Sequence, residues 1–412
     1  MKTMAGILCT ILAFSLSISA IQAQHGPSVF PANTSLKAAS KIAPDIQSRA
    51  LWDGRKEVEF HAATLPKMVK AADAHFLIDN EYVLGITKNG ESRAYPTRFV
   101  SWHHIINDRI GTTQNGEPSY VTVTYCIVCN SGICFETPLL QHKPLQFDFY
   151  GLYNGVMTLY DRNTESVWLQ VSGRAVKGPL CEMTLTPAPL LDTTWRAWKR
   201  LHPNTLVMAP DPHFTSCYES KGSIMVRGYT AFPADYFRPT LTHRDVRLPM
   251  FEPVLAVSLP AVETDVTLTN AAELPMHPPA LHRAYPMNTF KKKTGVVNDM
   301  LGTTPVAILF RADTETVNAV SPVVDGRTLT LEARKIPEGK FAFFDRETGS
   351  RWNIEGRAEA GPLLGKALSR IDSHMSQWYG WVAYFPETTI YGQPDPSAHA
   401  LHPTSPLKIG RR

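Results

Sequence analysis

The sequence lacks long hydrophobic runs and a strong charge of either sign. Beyond its first residues, no stretch reaches the ~18 consecutive apolar residues that a membrane-spanning helix needs. With 41 Lys and Arg against 37 Asp and Glu, the formal net charge of the 412 residues is only +4. So small a charge does not indicate nucleic acid or an acidic membrane surface as a partner. We therefore expect no nucleic-acid partner and no stable membrane anchor in the mature chain.

Glycine is also outnumbered, with 25 residues against 32 prolines. Proline ends helices and is confined to the edges of sheets, so its excess favours short strands and ordered loops over long helices. Charged residues make up 19% of the chain and hydrophobic residues 43%, which is typical of a globular protein and not of a disordered one. At a prior of ~150 residues per domain, the length predicts two or three domains.

Residues 1–23 have the pattern of a secretory signal. Lys2 precedes a mostly apolar, uncharged stretch from Ala5 to Ile18, and small residues follow up to Ala23. This pattern predicts cleavage after Ala23 and a periplasmic or extracellular location, with an uncleaved anchor as the alternative.

The cysteines pose a question of pairing. Cys9 lies in the signal segment, and an odd number remains, so at least one thiol is unpaired, metal-bound or joined to another chain. Cys126 and Cys129 form a C-x-x-C pair. The simplest disulfide in an oxidising compartment joins Cys181 to Cys217.

Two parts of the chain carry the same motifs in the same order. The repeated motifs are Arg-Ala-Tyr-Pro (93–96 and 283–286), Gly-Thr-Thr (111–113 and 302–304), Asp-Arg (161–162 and 345–346), Gly-Pro-Leu (178–180 and 361–363) and Trp-x-x-Trp (195–198 and 378–381). Self-similarity over this length indicates a duplicated domain and not a solenoid, whose repeats have ~20–50 residues. The Asp-Arg pair recurs in both copies, which favours a structural turn over catalysis.

We therefore predict an α+β fold, strand-rich with a few short helices, built as two tandem related copies. The predicted divisions are a mobile N-terminal extension (24–58), copy one (59–215), copy two (216–392) with an insert near 258–283, and a mobile tail (393–412). Copy one is expected to bear the site and copy two to be a degenerate scaffold.

Chemistry is concentrated where a predicted strand, Tyr120 to Tyr125, runs into Cys126. A C-x-x-C turn brings two sulfurs onto one metal or prepares them for redox exchange. Zinc usually takes four ligands, and there is no second C-x-x-C, whereas copper(I) is satisfied by two or three thiolate and imidazole ligands. Cys134, in the following strand, is expected to be a small core residue.

A histidine completes the candidate site. A predicted helix over 97–106 places Phe99, Trp102, His103 and Ile106 on one face. His103 is therefore the favoured partner of the two cysteines, with His104 as the alternate. The alternative interpretation is a core histidine beside a disulfide. Copy two has lysines opposite both histidines and lacks both cysteines, as a site with two parts would predict.

Several of these stretches together resemble the family catalogued as domain of unknown function 3179. The stretches are Ala94-Tyr95-Pro96, Trp102-His103, Tyr125-Cys126, Leu152-Tyr153-Asn154, Tyr160-Asp161-Arg162 and 344–350, within roughly residues 60 to 392. The resemblance implies no established activity. His104 stands where the family's Trp-His-Glu motif has its acid, and many members carry threonine at the position of Cys129, which points to Cys126 as the principal thiol.

Three hypotheses follow for the function. The first is a secreted or periplasmic protein that binds a soft metal ion, copper or zinc, through Cys126, Cys129 and His103. The second is a cysteine-dependent enzyme or thiol redox protein in which His103 assists Cys126. The third is an extracellular interaction module without a chemical site.

Overall fold

A computed structural model describes residues 41–58, 60–219, 228–260, 280–337 and 339–394. The predicted signal segment, most of the insert near 258–283 and nearly all of the predicted tail lie outside the described residues. The strand-rich fold with a few short helices is confirmed. In the part of the chain that the structure describes, no helix combines the length and the apolar character needed to cross a bilayer.

The helices are all short, in keeping with the many prolines. The α-helices are α1 (Thr97–His103), α2 (Trp195–Leu201), α3 (Thr215–Tyr218) and α4 (Trp378–Val382). Short 3-10 helices are formed by Ser48–Ala50, Ala71–Asp73, Pro212–Phe214, Asp235–Thr240 and Met287–Phe290.

The first half of the described chain, residues 41–219, is built mostly of short strands. They are β1 (Trp52–Asp53), β2 (Ala63–Thr64), β3 (Met68–Lys70), β4 (Tyr82–Lys88), β5 (Glu91–Pro96), β6 (Ile105–Thr112), β7 (Pro118–Cys126), β8 (Ser131–Glu136), β9 (Leu139–Leu140), β10 (Lys143–Pro144), β11 (Phe147–Tyr153), β12 (Val156–Asp161), β13 (Val167–Leu169), β14 (Ala175–Lys177), β15 (Pro187–Ala188), β16 (Leu191–Thr194) and β17 (Leu206–Met208).

The second half, which comprises the described residues from 228 to 394, is also built mostly of short strands. Its strands are β18 (Pro253–Pro260), β19 (Ala280–Pro286), β20 (Gly295–Leu301), β21 (Thr304–Arg311), β22 (Thr316–Val320), β23 (Val323–Val324), β24 (Arg327–Thr328), β25 (Leu331–Lys335), β26 (Phe341–Asp345), β27 (Arg351–Trp352), β28 (Ala358–Ala360), β29 (Ser373–Gln377) and β30 (Thr389–Ile390).

The strands of each half form three main sheets. In the first half the strand orders are β16-β4-β5-β17-β3, β15-β8-β7-β6-β2 and β1-β11-β12-β13-β14. In the second half they are β29-β18-β19-β30, β20-β21-β22 and β25-β26-β27-β28. The two halves thus have similar strand orders. Descent of both from one duplicated domain stays a prediction.

The repeated Asp-Arg motif has the same surroundings in both halves. Asp161 Oδ2 accepts a hydrogen bond from Trp168 Nε1 at 2.9 Å, and Asp345 Oδ2 accepts one from Trp352 Nε1, also at 2.9 Å. Each carboxylate also accepts from the backbone N–H of the threonine three residues later, at 2.6 Å. These acids therefore hold a turn against a buried tryptophan, as the sequence led us to expect.

Two of the hydrophobic clusters are shared between the halves. One cluster packs Leu159 and Trp168 of the first half with Trp378 and Trp381 of the second. A second cluster packs Trp195 and Trp198 with Phe343 and Trp352. Between the clusters, the hydroxyls of Thr193 and Thr316 lie 2.6 Å apart. The halves therefore interlock through these two clusters, although each half also encloses a hydrophobic cluster of its own.

Residues 41–58 are folded, although we expected them to belong to a mobile extension. Ala43 and Ala50 are buried, and β1 pairs with β11 through Trp52 opposite Leu152. Asp45 also forms an ion pair with Arg174, at 2.7 Å. Edge pairing and apolar burial thus order a segment whose composition had indicated a loose tail.

The helix predicted over 97–106 ends at His103. His104 has φ of +59°, a left-handed conformation that stops an α-helix. Ile105 and Ile106 then enter β6, where they pair with Thr124 and Val123 of β7. Pairing with a neighbouring strand accounts for the difference, because β-branched residues fit a sheet better than a helix end.

Candidate functional site

The C-x-x-C pair lies in the tight hairpin between β7 and β8. Cys126 ends β7 and pairs with Ser131, so residues 127–130 make the turn. Asn130 closes the turn with φ of +51°, a conformation that asparagine tolerates, and its Oδ1 accepts a hydrogen bond from Tyr125 Oη at 2.9 Å. Cys126 is 4% exposed and Cys129 is fully buried, and both are free thiols.

The surroundings of Cys126 favour its thiolate. Its sulfur is hydrogen-bonded by the thiol of Cys129 and by the backbone N–H groups of Cys129, Met157 and Val128. These donors outweigh the cost of burial and lower the pKa of Cys126 to about 7. Burial and the adjacent Cys126 raise the pKa of Cys129. One sulfur is therefore prepared as a nucleophile, while the other keeps its proton.

An apolar pocket of about 350 Å³ opens beside Cys126. Aromatic rings provide much of its lining: Trp52, Phe60, Trp102, Phe149, Tyr236 and Phe237. Ser101 and His104 are among the few polar side chains that line it. Its size and polarity suit a small, mainly apolar molecule placed against the sulfur.

His104, and not His103, shares this pocket with Cys126. The His104 ring packs on Phe60 with ring centroids 4.0 Å apart, and its Nδ1 has no hydrogen-bond partner among the described residues. Burial lowers the pKa of His104 to about 4, so its imidazole is neutral at pH 7. The left-handed backbone of His104 costs of order 1–3 kcal/mol, a type of strain that clusters at functional sites.

His103 has other partners. Its Nδ1 lies 2.7 Å from the carbonyl oxygen of His61, and its Nε2 lies 2.5 Å from Tyr218 Oη. Both ring nitrogens are thus engaged, and His103 is not among the residues that line the pocket. The early end of α1 explains this, because it turns the two neighbouring histidines to different surroundings.

The predicted ligand set is therefore not assembled as we expected. The structure brings Cys126 and Cys129 together and adds His104, the alternate, to the same pocket. Within the described ranges, no three or more His, Cys, Asp or Glu side chains are grouped so that they could hold a metal ion.

The second half also contributes residues to the site, and no motif in the sequence predicted this contribution. The backbone N–H of Gln377 donates to the carbonyl oxygen of Cys129 at 2.9 Å. In α4, a Cβ on Gly380 would lie 3.2 Å from Cys129 Cβ, a tight contact that glycine avoids. Tyr379, in the same helix, donates from its hydroxyl to Gly155 O at 3.3 Å. The repeated Trp-x-x-Trp motif marked this helix, but nothing in its sequence indicated which face contacts the cysteines.

The remaining thiols have no part in the pocket. Cys134 is 1% exposed in β8, and burial raises its pKa, in keeping with a core residue. Cys181 is a free, half-buried thiol that donates to Glu182 at 3.7 Å. The structure therefore does not contain the disulfide that we expected between Cys181 and Cys217.

Comparison with known proteins agrees with the resemblance noted from the motifs. A family model described as protein of unknown function (DUF3179) matches residues 61–388, which include both cysteines of the pair and the helix that covers them. No curated protein matches the chain, and neither does any solved structure. Since the match extends over most of the sequence, this chain belongs to the DUF3179 family.

Proposed function

We propose that this protein is a thiol redox protein in which Cys126 is the attacking thiol and Cys129 the resolving thiol. One arrangement carries the proposal: hydrogen bonding from Cys129 and from the backbone N–H groups of Met157 and Val128 lowers the pKa of Cys126, and the Cys129 thiol lies 3.8 Å from the carbonyl oxygen of Cys126. Such a shell stabilises a thiolate without a nearby cation, and it places the second sulfur within reach of the first.

The burial of the sulfurs indicates the size of the substrate. A protein disulfide would need an exposed sulfur, whereas Cys126 is 4% exposed and borders an apolar pocket of about 350 Å³. The proposed partner is therefore a small apolar disulfide that enters this pocket and not a second protein.

The proposed reaction balances without a metal or an organic cofactor. The Cys126 thiolate attacks one sulfur of the small disulfide, forms a mixed disulfide and releases the other half as a thiolate, which takes the proton of Cys129. The Cys129 thiolate then attacks the Cys126 sulfur and releases the second half of the small disulfide as a thiolate, which takes a proton from water. The small disulfide is reduced to two thiols, and Cys126 and Cys129 are oxidised to a disulfide, which a dithiol reductant returns to the starting state.

The test uses 2,2′-dithiodipyridine, a small aromatic disulfide, with peptide mapping by mass spectrometry. In the natural protein we expect a Cys126–Cys129 disulfide and no lasting adduct at this pair. In Cys129→Ser we expect a pyridylthio group trapped on Cys126, and Cys181→Ser, which removes a half-buried thiol elsewhere, should behave like the natural protein. Absence of both the disulfide and the trapped adduct would overturn the proposal.

A soft-metal site is the second candidate, because the neutral imidazole of His104 shares the pocket with Cys126. The three side chains are not grouped around a common point in the structure, so the two thiolates would bind the ion and His104 would move toward it, which suits copper(I) better than zinc. Copper(I) titration decides between the candidates. Binding of one equivalent that is lost in both Cys126→Ser and His104→Ala supports the metal site, and weak binding that is unchanged in His104→Ala counts against it.

We also propose that the protein is exported. The charge at Lys2, the apolar stretch up to Ile18 and the small residues before Ala23 support this location. N-terminal sequencing of the protein recovered from the periplasm or the medium should begin at Gln24. Recovery of the intact N-terminus from the cytoplasm alone would contradict export.

A further inference from the structure

A second cavity lies between the two halves. It has a volume of about 200 Å³ and shares no lining residue with the Cys126 pocket. Residues 132–134 of β8 and 187–190 line it from the first half, and residues 370–374 line it from the second. Its charged side chains and its histidine come from the second half, as Arg370, Asp372 and His374, and the first half adds the thiol of Cys134.

Arg370 has unused hydrogen-bonding capacity in this cavity. One guanidinium nitrogen, Nη2, donates to the carbonyl oxygen of Leu190. No carboxylate of the described residues lies within ion-pair distance of this guanidinium, which has five N–H donors in all. Burial lowers the pKa of Arg370 to about 10, so the side chain is charged at neutral pH. Asp372 and Glu355 attract its charge without pairing with it, so most of its N–H donors are available to an anion in the cavity.

His374 and Asp372 also line the cavity. Nε2 of His374 has no hydrogen-bond partner among the described residues, and burial lowers the pKa of this histidine to about 4. The imidazole is therefore neutral and adds no second positive charge. Asp372 is exposed, and the side chains of Pro187 and Ala188 contribute apolar surface.

The charged lining residues Arg370 and Asp372 have no charged counterparts at the matching positions of the first half. In the register that aligns Trp195 with Trp378, the residues opposite Arg370 and Asp372 are Pro187 and Pro189. The charged groups are thus not part of the motifs that the two halves share. A scaffold role common to both halves does not account for them.

We propose that this cavity binds the carboxylate group of a small molecule through Arg370. The planar guanidinium matches a carboxylate with two parallel hydrogen bonds, and the neutral His374 is placed to donate a third from its ring. Two kinds of small molecule carry such a carboxylate group, a simple carboxylic acid and an α-amino acid. Asp372 distinguishes them, because its carboxylate attracts the ammonium group of an amino acid and repels a simple anion.

The test measures binding of propionate, L-alanine and propionamide to the full mature chain by calorimetry and by the shift of the melting temperature. We expect propionate or L-alanine to bind and the uncharged propionamide not to bind. Arg370→Gln should weaken binding at least about tenfold, the loss typical of a charge-assisted hydrogen bond. Arg346→Gln, which alters a side chain that is 65% exposed, should bind as the natural protein does.

Asp372→Asn keeps the proposal testable if Arg370→Gln does not fold, because residue 372 is exposed. Weaker binding of L-alanine by this variant, with propionate unchanged or tighter, identifies an amino acid as the ligand. Tighter propionate with no L-alanine binding identifies a simple carboxylate. Equal responses to propionate and propionamide in the natural protein, or no response to any of the three compounds, would overturn the proposal. None of these readouts depends on Cys126, so a failed thiol proposal leaves them intact.

Discussion

The backbone N–H of Gln377 donates a hydrogen bond to the carbonyl oxygen of Cys129 over 2.9 Å. This bond joins the last residue of β29, in the second half, to the C-x-x-C turn in the first half. The half of the chain without the C-x-x-C pair therefore helps to set the position of Cys129. The site belongs to the interlocked pair of halves and not to one of them.

The close approach of α4 predicts that Gly380→Val disturbs the thiol site. A Cβ at this position already lies 3.2 Å from both Cys129 Cβ and Val156 Cγ2, and valine adds two methyl groups. Such overpacking should reduce the free energy of unfolding by about 1–3 kcal/mol. Urea denaturation measures this loss. Gly295→Ala is the matched control, since a Cβ there meets its nearest atom at 3.8 Å, and a stable Gly380→Val would contradict the packing.

The lowered pKa of Cys126 predicts a pH profile for its alkylation. The thiolate is the reactive form, so the rate should rise about tenfold per pH unit below pH 7 and level off above it. Cys181, whose pKa burial raises, should still be accelerating above pH 9. Iodoacetamide labelling followed by peptide mapping measures both rates in one sample. Parallel profiles for the two thiols would show that the hydrogen-bond shell does not favour the Cys126 thiolate.

The left-handed backbone of His104 predicts an unusual order of stability for the glycine and alanine variants at this position. His104→Gly should be more stable than His104→Ala by about 1 kcal/mol, because glycine adopts positive φ at little cost. At Trp102, inside α1, the order should reverse, since alanine favours a helix over glycine by about 1 kcal/mol. Thermal denaturation of the four variants measures both differences. The same order at both positions would mean that residue 104 is not held in the left-handed region.

The matched surroundings of Asp161 and Asp345 predict equal structural roles. Replacing either with alanine leaves a buried tryptophan N–H and a threonine N–H without an acceptor, which should cost about 2–3 kcal/mol of unfolding free energy. Asp53→Ala, which removes an exposed ion pair with Arg55, should cost less than about 1 kcal/mol. Chemical denaturation gives these values. A loss confined to one of the two buried positions would show that the halves use the motif differently.

Much of the architecture could be predicted from local patterns in the chain. The β-formers before Cys126 form the end of β7, and the repeated motifs appear in halves with similar strand orders. Local rules failed where distant contacts outweigh them. Residues 41–58 have the composition of a loose tail, yet β1 pairs with β11 and Asp45 pairs with Arg174.

The sequence by itself determined the family, the strand-rich character and the presence of the C-x-x-C pair at the end of a strand, because motifs and periodicity are local properties of a chain. The tertiary structure alone decided which histidine reaches the pocket, since the direction of His103 and His104 depends on where α1 ends. It also placed Gln377 and Gly380 against Cys129 and gathered Arg370, Asp372 and His374 at a cavity between the halves. These groupings arise from packing between segments far apart in sequence, and spacing along the chain carries no record of that packing.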